Sequence, residues 1–181
     1  MKVIKTKIKG LFEIKINTKK DGRGYFMRVC DNNILKKKGI RSQWIQYNES
    51  FTKKKGTLRG FHYQEKPFCE AKLVRVVKGC VQDIIIDLRK KSKTYKSHIS
   101  IILKEKKNMV HIPRGCAHGF CTLKPNTLIS YYHDNIYVKS KEKGILWNSR
   151  ELKIKFKTKP KYISAKDKKL KNFSLYKNFN V

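Results

Sequence analysis

Short runs that alternate apolar and polar residues recur along nearly the whole chain, and they restrict it to folds made of half-buried strands. Leu11-Phe12-Glu13-Ile14-Lys15-Ile16, Trp44 to Asn48 and Lys72 to Val77 have this period of two. Val81 to Leu88, His98 to Leu103, Met109 to Ile112, Gly119 to Leu123 and Leu128 to Asp134 read as strands as well. Turn signals separate them, at Asp21-Gly22, Lys78-Gly79, Pro113-Arg114-Gly115 and Lys124-Pro125-Asn126. Two short helices are expected. One runs from Asn32 to about Lys38, with Asp31 as N-cap and Gly39 ending it; the other starts at Ser164. Many closely spaced strands with few helices predict an all-β antiparallel sandwich or jelly roll with short peripheral helices. At 181 residues, with no internal repeat and no linker, residues 1–181 read as one domain able to bury a core.

Charge and cysteines narrow the setting. The formal net charge of +32 predicts attraction to polyanions. The lysines are spread along the chain, however, and runs such as Lys36-Lys37-Lys38 and Lys53-Lys54-Lys55 sit at turns or exposed faces. No element interleaves arginines with aromatics, so the reading is a solvated lysine surface and not a nucleic-acid binder. No stretch of 18 apolar residues exists and Met1 to Lys7 lacks a signal-peptide core, so no membrane partner is expected. Cys30, Cys69, Cys80, Cys116 and Cys121 are odd in number and form no CxxC pair. Free thiols in a reducing, cytoplasmic setting follow from that pattern.

The segment Leu58-Arg59-Gly60-Phe61-His62-Tyr63-Gln64 carries chemistry-bearing residues on a short apolar strand. His62 is a candidate proton-transfer group and Arg59 a candidate anion clamp. Three residues apart, they fall on opposite faces if the strand is regular. A histidine here also fits plain core packing. Gly56 with His62, and Pro113-Arg114-Gly115-Cys116-Ala117-His118, resemble the two motifs of the cupin superfamily, a double-stranded β-helix. Gln64 stands where metal-binding members have a second histidine, which leaves only His62 and His118 as ligands. Catalytic sites ordinarily use three protein ligands. No metal is therefore expected, and His98, His111 and His133 read as surface or strand histidines.

Leu58 to Gln64, Lys72-Leu73-Val74-Arg75, Asp83 to Asp87 and Ile112 to Phe120 resemble, in order and spacing, the dTDP-4-dehydrorhamnose 3,5-epimerase (RmlC-like) family. The resemblance starts near Asp21-Gly22-Arg23-Gly24-Tyr25-Phe26 and reaches Ser164-Ala165-Lys166-Asp167. It implies a cofactor-independent epimerase acting on a nucleoside-diphosphate 4-keto-6-deoxy sugar, in capsule or lipopolysaccharide sugar synthesis. It implies His62 as base, Asp167 as its orienting carboxylate, Tyr131 as opposite-face acid and Lys72 beside the enolate oxygen. Arg23, Phe26, Gln46, Asn48, Arg59 and His118 match substrate-binding positions, and family members are typically homodimers with exchanged strands. Each residue also has a plain structural reading. Asp167, three residues after Ser164, completes a capping box, and Tyr131 alternates in a strand as a core residue would.

Three positions depart from the family pattern. Arg28 replaces a glutamate that accepts from thymine; arginine has donors only, and its fork suits the edge of guanine. Ile136 replaces the first of two tyrosines, leaving Tyr137. Arg114 stands where an acid is usual. The expectation is a GDP-linked 4-keto hexose or heptose, with a dTDP-sugar 3,5-epimerase or a C3-only epimerase as the alternatives. A 3,4-ketoisomerase on the same fold is a rival within the enzyme class, and a non-enzymatic basic binding protein is the rival outside it.

Overall fold

The computed structural model describes residues 1–40 and 43–181. Fourteen strands are formed among them: β1 (Lys2–Lys5), β2 (Phe12–Lys15), β3 (Thr18–Asp21), β4 (Gly24–Met27), β5 (Gln46–Thr52), β6 (Thr57–Gln64) and β7 (Lys72–Lys78). The rest are β8 (Cys80–Asp87), β9 (His98–Lys104), β10 (Asn108–Ile112), β11 (Cys116–Thr122), β12 (Thr127–His133), β13 (Glu142–Gly144) and β14 (Tyr162–Ile163). Helices α1 (Asn32–Lys37) and α2 (Ala165–Lys168) are short, and Asp31 and Ser164 cap them as expected. Two sheets carry the fold, in the orders β1-β2-β10-β7-β12-β5 and β13-β6-β11-β8-β9, while β3 and β4 form a separate hairpin. No helix of the described residues is long and apolar enough to cross a membrane.

The alternation read from the sequence explains how the sheets face each other. Val74, Val76, Val81, Ile85, Val110, Phe120 and Ile129 point inward and form the core between the two sheets. Strand neighbours of opposite parity, Leu73 and Met109, point outward and are covered by Leu35 of α1 and by Ile40. On the other sheet, Ile84, Ile86 and Ala117 point outward under a C-terminal stretch that includes Leu152, Phe173 and Phe179. Both faces of β8 are thus buried, and its polar residues Gln82, Asp83 and Asp87 are buried with them. Burying one such aliphatic side chain is worth roughly 1.5–3 kcal/mol, so these three clusters hold the layers together. All five cysteines are unbonded thiols.

One strand pair is irregular. Across β6 and β11, His62 faces His118 while Arg59 faces Phe120, so three residues of β6 span two of β11. That extra residue is a β-bulge. It cancels the odd spacing of Arg59 and His62, and both side chains line one cavity. The opposite-face expectation for a regular strand is corrected here. The bulge sits at Gly60, whose φ is +124°, and a Cβ there would lie 2.5 Å from Gly119 Cα. Glycine on both strands lets the two backbones meet.

Candidate active site

Inward-facing positions at the open end of the sandwich make one cavity of about 800 Å³ and, beside it, one of about 330 Å³. The larger is lined by Asn48, Arg59, His62, Lys72, His118, Tyr131, His133 and Asp167, among others. Lys161, Lys166 and Lys168 add cationic side chains to it. The smaller is lined by Gln46, Glu70, Tyr137 and Glu142, and shares Asn48, His62, Lys72 and His133 with the larger. Period-two geometry brings these groups together: Tyr131 of β12 pairs with Asn48 of β5, and His133 of β12 lies between Lys72 of β7 and Gln46 of β5.

Half-buried His62 places Nε2 2.7 Å from Asp167 Oδ1. A carboxylate only accepts, so Nε2–H donates and the neutral ring keeps its lone pair on Nδ1. Glu142 Oε1 lies 3.9 Å from that Nδ1, beyond hydrogen-bond reach. Asp167 is buried, which favours its neutral form, but the His62 hydrogen bond and the Gly60 N–H hold its pKa below the ordinary value. Only half of the expected capping box forms. Ser164 Oγ accepts from Asp167 N–H, while the Asp167 carboxylate turns to His62 and Gly60.

A second histidine–carboxylate pair lies deeper. His118 Nε2 donates to Asp83 Oδ1 at 2.7 Å, with both side chains almost fully buried. Burial pushes the Tyr131 phenol pKa up, reinforced by the Asp83 charge, so the ring remains protonated. Lys72 Nζ sits 3.0 Å from Glu70 Oε1. Arg59 donates weakly to Thr52 Oγ1 and Phe51 O, at 3.4 and 3.3 Å. Its guanidinium therefore has donors to spare.

Not every expected residue is brought to the cavities. Arg23 pairs with Asp21 at 2.8 Å on the β3–β4 hairpin, Phe26 is 66% exposed on that hairpin, and Arg28 pairs with Asp31 at 3.1 Å. None of the three lines either cavity of its own chain. The Ile136 side chain is exposed and lines neither cavity, while the adjacent Tyr137 lines the smaller one. Arg114 is taken up by Asp134 at 3.1 Å. Gln64 is a buried cross-link: its Nε2 donates to Phe68 O, Glu70 Oε2 and Ile136 O, and its Oε1 accepts from Val138 N–H. His133, expected as a surface or strand histidine, lies on β12 and lines both cavities, and Glu70 and Glu142 were not among the expected residues. His133 shares the parity of Tyr131 on β12, which was a usable signal; the two glutamates had none.

This two-sheet β-sandwich, with carboxylate-paired histidines side by side on the adjacent strands β6 and β11, is a cupin-type jelly roll. The chain belongs to the dTDP-4-dehydrorhamnose 3,5-epimerase family, a family of isomerase-class enzymes, whose model matches residues 5–174. The dTDP-4-dehydrorhamnose 3,5-epimerase of Shigella flexneri is 37% identical over 169 residues, 92% of this chain and 93% of that protein. The Bacillus anthracis enzyme of that name, solved with TDP and PPi bound, superposes with a TM-score of 0.90 at 35% identity, covering 93% of this chain and 97% of the other. The Legionella pneumophila RmlC structure with dTDP-4-keto-L-rhamnose also has a TM-score of 0.90, at 31% identity over 96% of this chain and 93% of that one.

Proposed function

We propose that this protein epimerises carbons 3 and 5 of a nucleoside-diphosphate 4-keto-6-deoxy sugar by proton transfer through an enolate. The observation that carries the reading is the His62–Asp167 pair, which leaves an unprotonated Nδ1 in the cavity that Tyr131 and Lys72 also line. The 4-keto group acidifies the C–H bonds at carbons 3 and 5. His62 Nδ1 takes the proton, the C–H electron pair moves to the carbonyl oxygen, and Asp167 stabilises the imidazolium. The Lys72 ammonium stabilises the enolate oxygen, a fixed charge acting where negative charge develops. Tyr131, held neutral by burial, donates to the opposite face and closes the new C–H bond. Each positioned acid or base contributes about a hundred- to ten-thousandfold. Arg59 and the cavity lysines take the diphosphate, and His118 and Asn48 contact the sugar.

The base is thymine in this reading. The expectation of guanine rested on Arg28 alone, and the names of the relatives above, all for dTDP sugars, weigh more. Arg23, Phe26 and Arg28 reach substrate only if a second copy presents its β3–β4 hairpin to the cavity, so the working form is a homodimer. Incubation in D2O with dTDP- and GDP-linked 4-keto-6-deoxyglucose, followed by proton NMR, tests the proposal. Deuterium should enter carbons 3 and 5 of the dTDP sugar, and His62→Asn should abolish both exchanges. Exchange at carbon 3 alone would identify a one-centre epimerase, preference for the GDP sugar would restore the guanine reading, and full exchange in His62→Asn would refute the base assignment.

A further inference from the structure

Two groups at the junction of the cavities have no part in that mechanism. His133 lines both cavities, directly beside Lys72 on the neighbouring strand. Glu70, on the connection into β7, is buried with three partners: Lys72 Nζ on Oε1 at 3.0 Å, and His133 Nδ1 and Gln64 Nε2 on Oε2 at 3.0 and 3.2 Å. Burial disfavours its charge, yet the Lys72 ammonium and the His133 hydrogen bond bring its pKa down to about 2, so it is a carboxylate throughout the working range.

That carboxylate fixes the imidazole. Because Glu70 can only accept, His133 Nδ1 carries a proton, and in the neutral ring Nε2 is an acceptor. Among the described residues the one donor near Nε2 is the Asn48 amide at 3.4 Å, at the long limit of a hydrogen bond. The cavity wall therefore holds an acceptor with weak satisfaction among groups that are mostly donors: Lys72, Arg59 and the Asn48 amide. Phosphate and enolate oxygens have no proton to give such an acceptor. The groups of a 4-keto-6-deoxyhexose that have one are its two ring hydroxyls, on carbons 2 and 3.

We propose that His133 is a specificity-determining residue whose Nε2 accepts a hydrogen bond from a ring hydroxyl of the sugar. Glu70 is the positioning residue that sets its tautomer while anchoring Lys72. The inference rests on the epimerase reading and adds to it a recognition element for the sugar. A site that hydrogen-bonds a hydroxyl rejects the analogue lacking it, because its own polar group is then left unpaired.

The test uses the full chain in D2O with dTDP-4-keto-6-deoxyglucose and its 2-deoxy and 3-deoxy analogues, reading kcat/KM for exchange at carbon 5. The wild type should prefer the parent over one analogue by about tenfold to a hundredfold, the effect of one buried acceptor left unpaired. His133→Leu should collapse that preference toward unity, mainly through KM. Glu70→Gln should weaken the same preference and also lower kcat, a combination that a purely structural glutamate would not produce. His133→Gln, whose amide oxygen offers an acceptor, should recover part of the preference, and it gives the reading if the leucine variant does not fold. The proposal is overturned if folded His133→Leu keeps the full wild-type preference, if His133→Gln recovers none of it, or if the wild type does not discriminate between the sugars. Absence of exchange with all three sugars overturns the epimerase reading and this proposal with it.

Discussion

His62 has a carboxylate near each ring nitrogen, and the two are not equivalent. Asp167 hydrogen-bonds Nε2 at 2.7 Å, while Glu142 stands 3.9 Å from Nδ1, where only Coulomb attraction acts. Burial disfavours the Glu142 charge, but hydrogen bonds from Lys166 and Tyr137 hold its pKa below the usual value. It is ionised when the imidazolium forms. Asp167→Asn should lower kcat by about a hundred- to ten-thousandfold with little change in KM, whereas Glu142→Gln should cost about tenfold. Steady-state kinetics check both, and an unchanged kcat in Asp167→Asn would refute the pairing as catalytic. At this scale residue type and position marked His62 and Arg59, and the family resemblance supplied the other roles. His62, Lys72, Asn48, Tyr131 and His118 sit on strands whose alternation faces them inward. Glu70 and Glu142 lie at strand margins, where no period operates, and only tertiary packing brings them to the histidines.

The β6–β11 pair decides where the reactive side chains point. A one-residue bulge is invisible to a count of alternating positions, which is why the main strands were readable while the common face of Arg59 and His62 was not. Gly60 and Gly119 are the visible trace of it. A Cβ on Gly119 would lie 2.7 Å from Arg59 O and 2.6 Å from the Phe61 ring. Backbone cannot yield as a side-chain tip does, so Gly119→Ala should destabilise by about 1–3 kcal/mol. It should also shift Arg59 against His62, lowering kcat/KM by more than the loss of folded protein explains. Denaturant unfolding with a parallel activity assay measures both, and a variant equal to the wild type in each would show that the bulge tolerates a methyl group. The β3–β4 hairpin illustrates the other limit. Its turn signal at Asp21-Gly22 was plain, but nothing local tells whether its residues meet a cavity.

For the whole molecule, the few acids carry much of the electrostatic organisation. Glu70 and Asp87 are both brought to about 2, against burial, by their cationic and hydroxyl partners, and Asp167 and Glu142 are also lowered. A carboxylate whose folded pKa lies below its unfolded value stabilises the fold above the unfolded pKa, and that contribution is lost as pH falls through the folded one. Thermal midpoints should therefore be level above about pH 5 and fall steeply between about 4.5 and 2. For Glu70 the shift corresponds to something on the order of 3 kcal/mol, at about 1.4 kcal/mol per pKa unit. Glu70→Gln should melt lower than wild type at pH 7 but decline less steeply in that acid window. Circular dichroism melts across pH 2–7 test this, and parallel curves for the two proteins would contradict it. The +32 net charge, legible from composition alone, works in the same direction. Each acid neutralised adds to the self-repulsion of an already cationic chain.

Asp167 and His62 are 105 residues apart in the chain. A ribosome adding about 5–20 residues per second finishes the strand that bears His62 several seconds before the residue that orients it exists. Through that interval the growing chain has an imidazole with no fixed tautomer. The His62–Asp167 pair is thus completed late in synthesis, when the last covering layer closes over the second sheet.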